Sequence, residues 1–182
     1  MRKIIMLLLL CAVPQLLSAQ THDHNTPQRA EMKKLNFLVG QWKGTGWFEM
    51  GPGRRSTFTQ TEHVQNKLDG LALLIEGLGR GQLGGKGEEV VVHNALAVVS
   101  FDAQQKQHRF RAYRADGMYV DTTAQVSDRA LVWSFQDPRA GHIKFTITLN
   151  DKGEWFEIGE LSRDGKAWYK FFEMTLQRAA TS

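Results

Sequence analysis

From Gly40 onward the chain breaks into ten short segments that alternate or run apolar, and no helical period recurs among them. The segments are Gln41–Met50, Thr57–Leu68, Leu71–Arg80, Val90–Phe101, His108–Arg114, Tyr119–Val126, Leu131–Gln136, His142–Leu149, Trp155–Ser162 and Ala167–Arg178. Between them stand clusters of hairpin length, among them "GPGRR", "LDG", "RADG", "DPRAG", "NDKG" and "RDGK". Ten strands in sequential hairpins form a meander. A meander of that length exposes two edges unless it closes, and closure into an up-and-down antiparallel barrel removes both. The expected fold is therefore all-β, a single barrel with one short N-terminal helix over residues 27–38, where Met32, Leu35 and Leu38 make one apolar stripe after Thr26-Pro27.

The stretch "LVGQWKGTGW" (38–47) opens the first strand. Trp42, Gly44, Gly46 and Phe48 share one face of it, and glycine on one face of a strand marks a bend or a close backbone approach. A phosphate loop is excluded, because no helix follows Gly46.

Residues 1–19 read as a secretory signal peptide. Arg2 and Lys3 precede the apolar run Ile4–Val13, and Leu17-Ser18-Ala19 offers small residues for cleavage. Residues 20–26 then form a flexible N-terminus and 27–180 the barrel domain. The alternative, lipoprotein anchoring at Cys11, meets Leu10 where such a signal has a small residue. The chain is expected outside the cytoplasm, periplasmic or extracellular. Cleavage takes Arg2 and Lys3 from a net charge of +4, leaving +2, and with it goes the one cysteine. Nucleic acid thus loses its electrostatic footprint, and disulfides and thiol chemistry are removed. No membrane span is expected.

Helix followed by "NFLVGQWKGTGW" resembles the start of calycin-type barrels: lipocalins, fatty-acid-binding proteins and nitrobindin-like haem proteins. "KLDGLALLIEG" (67–77), "HNALAVVSFD" (93–102) and "WFEIGELSRDGKAWYKFFEMTLQR" (155–178) are similar to the secreted bacterial family known as domain of unknown function 1579. The resemblance implies a ten-strand barrel with an internal cavity, and it assigns no activity. It also implies that Trp42 seals one end of the barrel beneath Arg178 near the end of the last strand. The nitrobindin branch would imply haem held by a histidine there, but Trp168–Arg178 contains none, so no cofactor is expected.

Several sets of residues could carry chemistry. If Arg109, Arg111 and Tyr113 of "HRFRAYR" turn inward, they could hold a carboxylate, as arginine and tyrosine do in fatty-acid-type barrels; turned outward they form a solvated basic stripe. Glu62, Glu76, Glu157, Glu160 and Glu173 lie in mid-strand, and a pair inside a cavity could work as general acid and base. Glu76, set among Leu73, Leu74, Ile75 and Leu78, is a candidate interior carboxylate. Trp133, Phe135, Phe145, Trp155, Phe156 and Trp168 could line a cavity. On the last strand Trp168, Phe172, Met174 and Leu176 share the face of Arg178. His63, His93, His108 and His142 lack metal spacing, and no metal is expected in the barrel. At a new N-terminus, Gln20-Thr21-His22, with His24 nearby, could form a square-planar copper or nickel site.

The leading expectation is a non-enzymatic small-ligand-binding barrel whose ligand is apolar or amphipathic with an anionic head. The alternatives are an enzyme on the same barrel, haem-dependent or glutamate acid–base, and a filled structural or interaction module.

Overall fold

A computed structural model describes residues 25–51, 53–82 and 87–180. The signal segment, Cys11 and the His22/His24 site lie outside the described residues. Helix α1 (Thr26–Lys33) and a 3₁₀ turn (Asn36–Leu38) precede ten strands: β1 (Gly40–Glu49), β2 (Arg55–Lys67), β3 (Ala72–Gly81), β4 (Val90–Asp102), β5 (Gln107–Arg114), β6 (Tyr119–Ser127), β7 (Ala130–Asp137), β8 (Gly141–Leu149), β9 (Trp155–Ser162) and β10 (Tyr169–Arg178). Each strand pairs antiparallel with the next, and β1 pairs with β10, so the sheet closes on itself. The expected single helix ends at Lys33, where the Lys34 amide turns back onto the Glu31 and Met32 carbonyls. The 3₁₀ turn then redirects the chain into β1.

The closed end is built by that turn. Trp42 is 1% exposed; its indole N–H donates to the Leu38 carbonyl at 2.7 Å, and the Arg178 guanidinium lies 4.3 Å from its ring centroid. Arg178 also donates to the carbonyls of Val39 (2.8 Å) and Phe37 (3.0 Å), and it stands opposite Trp42 in the β1–β10 register. One guanidinium thus ties the last strand, the first strand and the turn together. Met32, Leu35 and Leu38 are buried, and α1 packs against β4 on this side, with Arg29 donating to the Asp69 carbonyl of the β2–β3 turn. The expectation about Trp42 and Arg178 agrees with this geometry.

Glycines on β1 act as supposed. A Cβ on Gly44 would stand 2.1 Å from the Thr175 carbonyl oxygen, and one on Gly46 would stand 2.5 Å from the Phe58 ring. Both spaces are taken by β10 and β2, which curl over β1 at the corner.

Candidate functional site

Pairing fixes which residues face the lumen, because partners across a ladder share a face. Starting from Trp42, the register runs inward through Glu62, Gly77, Ala95 and Arg114 on β2 to β5. It continues through Leu131 and Trp133 on β7, Phe145 and Ile147 on β8, Trp155, Glu157 and Gly159 on β9, and Phe172, Met174 and Leu176 on β10.

Rings line the half of the lumen nearer the β5–β6, β7–β8 and β9–β10 hairpins. Phe110 stacks on Trp133 (centroids 4.4 Å), Trp133 on Phe145 (5.0 Å), and Phe145 meets Phe172 edge-on (5.8 Å). Phe172 stacks on Phe58 (5.6 Å), and Phe58 meets Phe48 (6.0 Å). Gly159 and Gly46 make room for this belt: a Cβ on Gly159 would stand 2.8 Å from the Phe145 ring. Phe48, Trp133, Phe145 and Phe172 are only half-buried although they face inward. Solvent therefore reaches the wall of the lumen from the end opposite α1.

Below the belt, against the Trp42 end, sits a polar floor. Glu62 (7% exposed), Glu157 (6%) and Gln60 (2%) are buried there. On β3 the glycines of "EGLGRG" form a track that receives the β2 side chains. A Cβ on Gly77 would stand 2.6 Å from Glu62 Oε1, and one on Gly79 would stand 2.4 Å from Gln60 Oε1. Gln60 Nε2 donates to Glu62 Oε1 at 2.6 Å, and the Trp155 indole N–H donates to Glu157 Oε2 at 3.0 Å. Trp155 in turn meets Trp42 edge-on at 5.8 Å. Burial pushes the Glu62 carboxyl up to about 7, against the pull of the Gln60 hydrogen bond. Burial, and after it the negative charge of Glu62, push Glu157 up to about 8. Two carboxyls that influence one another in this way titrate as a pair. Such a pair can hold or release protons near neutral pH and can accept hydrogen bonds from a bound group.

The Arg109–Arg111–Tyr113 row does not face this space. Both arginines bond Asp121 of β6 on the outer wall, and Tyr113 is 51% exposed. The hydrogen bond from Arg109, with that from Arg111, holds the Asp121 carboxyl below its usual range. The opposite phase wins because it buries Phe110 against Trp133. The row is the solvated stripe, and the anionic-head expectation that rested on it is corrected. Glu76 is corrected too: it lies outside, 3.8 Å from His63 Nδ1, while Leu73 and Ile75 take the inward positions. Glu160 and Glu173 are likewise outside, paired with Lys144 (2.8 Å) and Lys170 (2.5 Å).

Of the tryptophans, Trp133 and Trp155 line the lumen as expected, whereas Trp168 stands outside beneath the Lys144 ammonium, 4.5 Å away. A β-bulge between Lys170 and Phe172 causes this, because it inverts the parity of the strand before residue 171. Phe156 alternates outward between Trp155 and Glu157. His108 is buried, edge-on to Phe101, with its ring near the Glu31 carbonyl; burial lowers its pKa. Among the described residues no three histidine, cysteine, aspartate or glutamate side chains converge as metal ligands. No described helix is long and apolar enough to cross a membrane.

No family model matches the chain, and no curated protein matches it. Among solved structures, the fold is similar to that in the crystal structure of Rv2717c from M. tuberculosis. The TM-score is 0.58 at 12% identity, and the match covers 82% of this chain and 97% of that one. At that identity the likeness is one of fold alone.

Proposed function

We propose that this chain is an exported member of the domain of unknown function 1579 family and works as a non-enzymatic carrier or sensor barrel, which takes a small apolar or amphipathic molecule into its lumen. One observation carries the reading: Trp133, Phe145 and Phe172 face into a closed barrel and yet keep solvent contact, above a buried polar floor. A filled interaction module would bury such rings, since interiors pack as densely as organic crystals. An apolar body laid against these rings displaces water from them, and the floor meets whatever polar end the molecule has. Signal cleavage near Ala19 is part of the proposal.

Titration of the mature chain with the neutral dye N-phenyl-1-naphthylamine tests it. Saturable binding of one dye per chain is expected, and so is its loss in Ala112→Trp, whose indole would enter the lumen from β5. Absence of saturable binding, or equal binding by the variant, overturns the proposal.

A further inference from the structure

Donors and acceptors at the floor of the lumen do not balance. The Trp42 N–H is taken by the Leu38 carbonyl, the Trp155 N–H by Glu157 Oε2, and Gln60 Nε2 by Glu62 Oε1. What remains is one unpartnered acceptor beside a carboxyl pair that becomes acceptor-only as it ionises. Gln60 Oε1 is fully buried without a hydrogen-bond partner, held in the lumen over Gly79; the Glu62 carboxyl is bonded to the same amide and lies over Gly77, and the Glu157 carboxyl is bonded to Trp155 and feels the charge of Glu62. A buried acceptor left unmade costs about 1–3 kcal/mol. A molecule with several N–H donors at one end removes that cost, whereas a carboxylate adds to it.

We infer, on the carrier reading above, that the lumen takes molecules bearing a protonated amine on an apolar or aromatic body, with the ammonium seated among Gln60, Glu62 and Glu157. Three donors on one nitrogen match an amide oxygen and two carboxyls, and the indole of Trp155 adds a face of negative potential. Other charged groups facing the lumen are few and engaged elsewhere. Arg178 lies under Trp42 with its guanidinium on the Phe37 and Val39 carbonyls. At the mouth, Arg114 of β5 pairs with Asp116 at 2.5 Å. His93 of β4 faces Gly79, and burial together with Arg114 keeps it toward the neutral form; His108 of β5, under α1, is also shifted toward neutral by burial. None of these competes for the acceptors as a free cation.

Displacement of N-phenyl-1-naphthylamine by n-octylamine, 1-octanol and octanoate separates this inference from the reading beneath it. An alkylamine resembles lysine, with a pKa of about 10.4, and so stays charged from pH 6 to pH 9, while the carboxyl pair ionises across that range. Octylamine is expected to bind at least about tenfold more tightly at pH 9 than at pH 6, the scale of one charge-assisted hydrogen bond. Octanol should be insensitive to pH, and octanoate weakest throughout. Glu62→Gln and Glu157→Gln, neutral isosteres of the protonated acids, should each abolish the amine preference while still binding the dye. The pH series needs no variant, so a misfolded glutamine form leaves the test intact. Dye binding with equal displacement by amine and alcohol, or with octanoate preferred, overturns the amine inference and leaves the carrier. Failure of the dye itself to bind removes the carrier and the inference with it.

Discussion

Glu62 and Glu157 place a cost on the native state that ordinary surface carboxylates do not. Below pH 4.5 folded and unfolded chains both hold these protons. Between 4.5 and the folded values of about 7 and about 8, only the folded chain does. The unfolded state then binds fewer protons, so stability falls as pH rises through this window. Shifts of that size correspond to about 3 kcal/mol for Glu62 and about 5 kcal/mol for Glu157, less whatever the pair relaxes. Thermal unfolding should show a melting temperature that drops between pH 5 and pH 8.5. Glu157→Gln should remove much of that slope and be more stable than the parent at pH 8.5. An unchanged slope in the variant would mean that Glu157 is not held protonated. In the sequence this pair was visible only as two of five mid-strand carboxylates. The sharper signal was the threonine alternation of "TFTQTEHV", which turns Thr57, Thr59 and Thr61 outward and leaves Phe58, Gln60 and Glu62 inside.

Among the elements, β1 and β10 show what alternation reveals and what it hides. The glycines of β1 were readable as a corner because two on one face have few other uses, and their spaces are filled by the neighbouring strands. The bulge in β10 was not readable. "AWYKFFEMTLQR" carries large apolar residues on both faces, so a period of two gives no hint that the phase changes at Phe171. Gly44→Ala sets a methyl against the backbone oxygen of Thr175, which cannot move without breaking the closing ladder, while Gly159→Ala presses on the Phe145 and Phe171 rings, which can turn, and on the Phe172 Cβ, which must shift by a few tenths of an ångström. Overpacking of this kind costs about 1–3 kcal/mol. Gly44→Ala should lie at the upper end and Gly159→Ala at the lower, as read from urea midpoints. The reverse order would show that the β1–β10 seam is looser than drawn.

For the whole molecule, ten hairpin-linked strands closed by Trp42 and Arg178 were legible because turn chemistry and alternation are local, and closure follows from the edges. What the lumen presents was less legible. Strand β5 offers two faces of similar polarity, and the choice between them is made elsewhere, by Asp121 on the outside and Trp133 on the inside. Likewise β2 and β9 are separated around the barrel by β1 and β10, and no sequence spacing brings Glu62 toward Glu157. The consequence is a cup with a polar floor, aromatic walls and an apolar-rimmed mouth where Met118, Tyr119 and Tyr169 are exposed.

The most direct measurement is a crystal structure of the mature chain soaked with N-phenyl-1-naphthylamine. The account predicts ligand density inside the barrel, against Trp133, Phe145 and Phe172 and above Glu62 and Glu157. Density on the outer wall by Leu78, Leu96 and Tyr113, with those rings closed over one another in the lumen, would contradict it.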